Sequence, residues 1–432
     1  MKILIENGAH DCFNAGDLSM LKVCLNRLKS AYPNADLLTV SEAPQRLTVV
    51  FKDSNPTNII EGRGLWLQDR NIFGGLHKIL PFEDSRIDNF EASIRRNHIF
   101  LARKWIKIRN NHRGLNHKPI KKYLRTLQSI DVAVVSGGGL ITDAFENHAM
   151  KLLETLYLLI QMGKPVALFG LGVGPINSPR LRKLAKLVFP QVTLFSLREK
   201  RYGPKLLKAL GVKSENIQIS GDDAIEFAAS GRVDILGQAI GFNVRDAKYA
   251  GVEKQSLSEI TDLLISIANK LHSPVIPLPI SWHRSENDLQ TVLNLLGQTV
   301  SAQEKEQLET IEGLNHQIAK CRIVITGSYH AAVFALTHGI PVIALAKTKY
   351  YAHKFNGLSD MFPGGLDVIG MDEIGWQNNF VFASTQAWKN AEIFRKDLRL
   401  CADRQIDASK MAYLHFYKML TKNSRHISTL KV

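Results

Sequence analysis

The chain has no apolar run of transmembrane length, no internal repeat and no low-complexity tract. A helix needs about 20 mainly apolar residues to span a bilayer, so a helical membrane-spanning protein is not expected. The opening Met1-Lys-Ile-Leu-Ile5 is too short for a secretory signal and reads as a first buried strand. Cysteine is scarce. The four present (Cys12, Cys24, Cys321, Cys401) are scattered and lack metal-ligand spacing, which predicts reduced thiols in a cytoplasmic protein without a metal site. A Walker lysine motif is missing. Gly170, Gly172 and Gly174 do not form a dinucleotide fingerprint, because the following helix starts late, near Ser178, and no acidic residue stands at the required distance. Acidic residues are themselves absent from Ala92 to Arg125, where eleven Lys and Arg occur.

What is present is an α/β pattern. At 432 residues the chain exceeds one ordinary core, and strands alternate with helical stretches almost throughout. The pattern predicts two Rossmann-like doubly wound parallel-sheet domains, spanning residues 1–230 and 231–384, with a C-terminal helix over 385–432 packing back on the first. Short strands are expected at Leu37–Val40 and Leu47–Phe51. A basic helical insertion is expected over about 64–125. Its Lys and Arg residues are interleaved with Ile99, Phe100, Leu101, Trp105, Ile106 and Ile108. Such a stretch suits an anionic membrane surface or an acidic polymer. Aromatics there are few and no nucleic-acid motif appears, so no specific nucleic acid is expected. A solvated helical face is the other reading.

The segment Thr326-Gly-Ser-Tyr-His330 follows a strand expected at Cys321–Ile325 and opens a helix. That puts a titratable His330 at the carboxyl edge of a parallel sheet, where open α/β folds bind ligands. Ser328 and Tyr329 share the segment. Other strands also end in glycine or charge. Gly137, Gly138 and Gly139 form either an anion-holding nest at a helix entrance or a turn that needs positive φ. Asp143, four residues on, is a general base or a helix cap. Asn14 or Asp17 could cap the first helix. Arg198 and Arg245 directly follow strands, and a guanidinium fork suits carboxylate and phosphate. Lys347 and Lys354 would attract phosphate. Asp222 and Asp223 are adjacent and would face opposite ways on a strand, a poor arrangement for a metal. His283 closes the loop after another strand.

These motifs together resemble the polysaccharide pyruvyl transferase family. The matching pieces are Asn14-Ala-Gly-Asp17, Gly137-Gly-Gly139 with Asp143, Gly170-Leu-Gly-Val-Gly-Pro175, Ser196-Leu-Arg198, Asp222/Asp223-Ala224, Gly241-Phe-Asn-Val-Arg245, His330, Gly339-Ile-Pro341 and Lys354. The resemblance implies a GT-B-like fold with its site in the cleft. It implies transfer of the enolpyruvyl unit of phosphoenolpyruvate, as donor substrate and without a further cofactor, onto two hydroxyls of a sugar. The acceptor would belong to a surface polysaccharide, its repeat unit or a lipid-linked precursor. One departure stands out: the family often has Arg-Leu-His where this chain has Ser328-Tyr329-His330. Arg198 keeps the other donor-binding arginine position, and Arg245, Lys347 or Lys354 would have to supply the lost charge. A nucleotide-sugar glycosyltransferase of the same shape and a non-catalytic polyanion binder are the competing readings.

Overall fold

A computed structural model of the chain describes residues 1–52, 54–68, 72, 84–114, 116–244 and 254–429. Seven strands form the first sheet: β1 (Lys2–Asn7), β2 (Asp36–Val40), β3 (Asn55–Thr57), β4 (Val132–Ile141), β5 (Val166–Val173), β6 (Leu194–Leu197) and β7 (Ile217–Ile219). Their order is β3-β2-β1-β4-β5-β6-β7, all parallel. Ile3 and Ile5 of β1 enter one core and Leu4 the other, so both faces are covered and the strand reads as a continuous apolar run.

The second unit begins with β8 (Ala239–Asn243) and β9 (Val275–Pro277). A small hairpin follows, β10 (Trp282–His283) with β11 (Glu286–Asn287). The sheet is completed by β12 (Cys321–Thr326), β13 (Val342–Ala346) and β14 (Leu366–Gly370). Its order is β14-β13-β12-β8-β9, again parallel. Strand order reverses between β1 and β4 and between β8 and β12, and such switch points open crevices at strand carboxyl ends.

The two crevices meet. Asn14 bridges Ser281, the Ala15 amide donates to the Ile280 carbonyl at 2.8 Å, and the Trp282 amide donates to the Phe13 carbonyl at 2.9 Å. Buried Asp288 fixes the loop before the hairpin by accepting from the Ile280 and Ser281 amides and from Asn243.

Two expectations are corrected here. Residues 47–51 are not a strand. Pro44 stands at the first position of a helix, Pro44–Val50, of which only Leu47 is buried, and the edge strand forms later at β3. The β-branched run looked like a strand, but Val49 is turned to solvent. The glycine run Gly137–Gly139 is not a nest at a helix entrance. It lies inside β4, which bulges between Gly138 and Ile141, while Gly137 and Gly138 take φ of 58° and 88°. The helix behind it starts only at Glu146.

The basic region forms helices Asp84–Asn97, Ile99–His112 and Lys118–Ser129. Ala102, Ile106, Ile120, Tyr123, Leu124 and Leu127 bury against one face of the first sheet, and Tyr123 Oη shares a 3.0 Å hydrogen bond with Thr155. The last helix, Trp376–Thr429, starts earlier than the sequence predicts. It crosses the second sheet, where Phe380 packs, and reaches the first, where Tyr413 stacks on Phe169 at 3.7 Å and donates to Asp223 Oδ2 at 2.8 Å. Among the described residues no helix is long and apolar enough to cross a membrane.

Candidate active site

Strand β6 delivers Arg198 into the cleft, 3 % exposed. Its guanidinium donates to Asp222 Oδ2 at 3.2 Å and lies over the Tyr329 ring, 3.9 Å from the centroid. Burial works against its charge, but Tyr329, Asp222 and Tyr350 outweigh that and hold its pKa above the ordinary arginine value. Room for the guanidinium comes from glycines. A Cβ on Gly172 would stand 2.6 Å from Nε, and one on Gly139 3.2 Å from Nη2. Gly139 and Gly172 therefore clear space for this guanidinium.

His330 is the second residue of helix Tyr329–His338. Its Nε2 is 3.8 Å from Asp222 Oδ2. Its ring lies directly against Gly16 of helix Ala15–Ala31, where a Cβ would come within 2.0 Å of Cγ and Nδ1. A residue of the second unit thus rests on the first. Asp222 sits beneath both Arg198 and His330 and also accepts from the Ala224 amide at 2.9 Å. Burial pushes its pKa up, against the pull of Arg198. It is not among the described residues that line the cleft and meets it through Arg198.

Lys354, on helix Lys349–Met361, completes the cluster. Its Nζ stands 5.3 Å from the Tyr329 ring, 5.0 Å from Tyr350 and 5.3 Å from Tyr351. Three aromatic faces suit a cation. Arg198, Lys354, Tyr329, Tyr350, His353, Gly139, Gly172 and Gly174 line one cleft. Its free space is about 20 Å³, room for little more than a water.

The remaining candidates divide. Asn14 caps helix Ala15–Ala31, accepting from the Gly16 and Asp17 amides at 3.0 and 3.2 Å. Asp17 lies beside Gly8 and Gly138. Asp143 ties two segments together by accepting from the Asn177 and Ser178 amides at 2.7 and 3.1 Å, while Thr142 caps the short 3₁₀ turn Asp143–Phe145. Ser328 is buried and its side chain makes no capping bond. Lys347 pairs with Asp372 at 2.9 Å and is not among the described cleft-lining residues. His283 is on the exposed seam, 2.7 Å from Ser285 Oγ and edge-on to Phe13. Arg245 lies outside the described residues. Asp223 faces away from the cleft, toward Arg27, Ser409 and Tyr413. Among the described residues no group of three or more His, Cys, Asp or Glu is placed to hold a metal ion.

Sequence reasoning gave no role to Gly16 or the buried Asp288, and placed Tyr350 and His353 beside Lys354 without a part in the site. Gly16 sits inside a motif already singled out, between Asn14 and Asp17, and only its proximity to His330 reveals what it does.

Comparison with known proteins agrees with this picture. The sequence profile of the family described as polysaccharide pyruvyl transferase matches residues 14–347. The amylovoran biosynthesis protein AmsJ of Erwinia amylovora is 23 % identical over 393 residues, covering 83 % of this chain and 85 % of that protein. By shape the chain is similar to a UDP-GlcNAc 2-epimerase from Neisseria meningitidis bound to UDP-GlcNAc, with TM-score 0.55 and 12 % identity over 97 % of this chain and 100 % of that one. It is also similar to S. aureus MnaA with UDP, with TM-score 0.56 and 13 % identity over 98 % and 96 %. These structures establish the two-unit, GT-B-like fold alone. The chain belongs to the polysaccharide pyruvyl transferase family and is a polysaccharide-modifying transferase.

Proposed function

We propose that the protein transfers the enolpyruvyl group of phosphoenolpyruvate to a sugar of a surface polysaccharide or its lipid-linked precursor, forming a pyruvate ketal. Arg198 and Lys354 line one cleft at the carboxyl ends of the sheets, and His330, outside that lining, stands next to the Asp222 that holds Arg198; this arrangement supports the reading. Two fixed cations suit a small trianion with a carboxylate at one end and a phosphate at the other. Lys354 takes the charge that Ser328 does not supply.

His330 protonates the donor's methylene carbon, turning CH2 into CH3 and leaving an oxocarbenium-like centre that one sugar hydroxyl attacks. Phosphate then leaves and the second hydroxyl closes the ketal. The two hydroxyl protons balance: one restores the proton His330 gave, and the other departs on phosphate. Because the carboxylate of Asp143 is engaged with the Asn177 and Ser178 amides, we assign the first hydroxyl proton to His330 in place of Asp143. The acceptor is met at the inner face of the cell membrane, through the basic region Ala92–Arg125.

The test replaces His330 with Asn and follows phosphate release with acceptor present. A general acid is worth about 10²–10⁴-fold. A rate near that of the unaltered protein would refute the assignment. Thermal stabilisation by a nucleotide sugar but not by phosphoenolpyruvate would point to a glycosyltransferase instead.

A further inference from the structure

The helix Ile99–His112 keeps its inner side, Ala102, Ile106 and Asn110, buried against the first unit. Its outer side is unusual for a solvent-facing surface. Leu101, Trp105 and Ile108 recur at spacings of four and three, which places them on one stripe, and each is about half exposed. Phe100 beside them is 78 % exposed. Lys104 and Lys107 are exposed between these residues, and no Asp or Glu occurs from Ala92 to Arg125. The cationic field extends beyond this helix. A groove of about 1030 Å³ between neighbouring helices is lined by Lys151, Arg180, Lys183 and Lys186, with Asp88 and the pair Arg96–Glu154 also at its wall, and Lys118, Lys121, Lys122 and Arg125 line another surface hollow.

A purely solvated face would not expose three large apolar side chains in register. A purely electrostatic contact with a soluble polyanion would not need them. An amphipathic helix with an apolar edge, a tryptophan and flanking lysines fits the interface of an anionic bilayer, where the apolar edge sinks to the acyl boundary and the ammonium groups meet headgroup phosphates. We propose that Leu101, Trp105 and Ile108 insert into the headgroup layer of an anionic membrane, with Lys104 and Lys107 paired to lipid phosphates. This deepens the acceptor side of the reading above and is independent of the donor chemistry.

The experiment uses the full chain without donor or acceptor. It is sedimented at low salt with vesicles of phosphatidylcholine alone, and with vesicles of equal parts phosphatidylcholine and phosphatidylglycerol. Binding is expected only to the second. The variant Leu101→Asp/Trp105→Asp/Ile108→Asp should bind at least roughly tenfold more weakly, with a cooperative thermal transition retained to show that it is folded. Trp105→Phe should still bind but lose the lipid-dependent blue shift in fluorescence. The proposal is overturned if the unaltered protein ignores anionic vesicles, if the triple variant binds as well as it does, or if the blue shift survives in Trp105→Phe. It is equally overturned if the stripe proves to be a self-contact, seen as a dimer in sedimentation equilibrium that the triple variant abolishes. Phosphate release from phosphoenolpyruvate is measured separately, so failure here leaves the donor reading standing.

Discussion

At its amino end the helix Tyr329–His338 holds His330 beside Asp222 and against Gly16; at its carboxyl end it buries His338 among arginines. His338 Nε2 lies 2.7 Å from Asn315 Oδ1, and the guanidinium of Arg399 donates to its carbonyl at 3.0 Å. Burial first, then Arg232, Arg399 and Arg395, pull its pKa down to about 3. A helix carboxyl end ordinarily favours an imidazolium, but here desolvation and three fixed cations overrule the dipole. At the other end Asp222 offers a counter-ion to a protonated ring. The same side chain is thus a packing element held neutral at ordinary pH at one place, and at the other the group we propose as the proton donor. Residue type does not separate the two; the charge facing the ring does.

The sharpest way to break this contrast is to crowd the amino end. Gly16→Ala puts a methyl where the His330 imidazole now lies, so the ring must leave its place beside Asp222. Phosphate release should fall by about 10²–10⁴-fold, as if the acid had been removed. Unfolding free energy should fall by about 1–3 kcal/mol, because the methyl overpacks a buried contact between the two units. Normal turnover in Gly16→Ala would mean that the position of the ring does not matter.

A smaller effect separates the two lysines near β13. Lys354 stands over three tyrosines in the cleft, while Lys347 is committed to Asp372. Lys354→Met should raise the KM for the donor roughly 10-fold to 100-fold, the worth of one charged hydrogen bond. Lys347→Met should change it by less than about twofold, as expected for an exposed ion pair. Equal effects from both would show that Lys347, too, reaches the donor.

The two parallel sheets, most of their buried strands and the strand-end position of His330 were legible in the sequence, because buried parallel strands leave apolar runs and glycine or charge marks their ends; the edge strands β3 and β14 and the small hairpin were not. Arg198 was legible for the same reason. What was not legible depends on pairing across distance. Residues 47–51 carry a strand-like run whose fate was decided by Pro44. The glycines 137–139 and 172 look like anion nests, yet Gly139 and Gly172 make room for Arg198 and Gly137 lies against Met20, pairings fixed by the tertiary fold. Asp222 and Asp223 were expected to face opposite ways, and they do: one toward the cleft, the other toward a helix nearly two hundred residues later. Neither periodicity nor composition could say which was which.

The carboxyl end of the helix gives the last and gentlest test, on stability. With a folded pKa of about 3 against an ordinary 6.5, His338 binds its proton more weakly in the native protein than in the unfolded chain. The stability this provides is fully present above about pH 6.5, and it drains away as pH falls toward 3, because only the unfolded state takes up the proton. His148, lowered to about 4 chiefly by burial, drains in the same direction over a narrower window. His338→Gln keeps a donor for Asn315 but cannot titrate. Urea unfolding between pH 7 and pH 4 should therefore show a shallower loss in the variant, by on the order of a few kcal/mol over the whole range. Both proteins should keep the same turnover at neutral pH, since His338 is remote from the cleft. Parallel curves would mean that the native ring accepts a proton as readily as a free one, and the distinction between the two ends of the helix would lose its electrostatic basis.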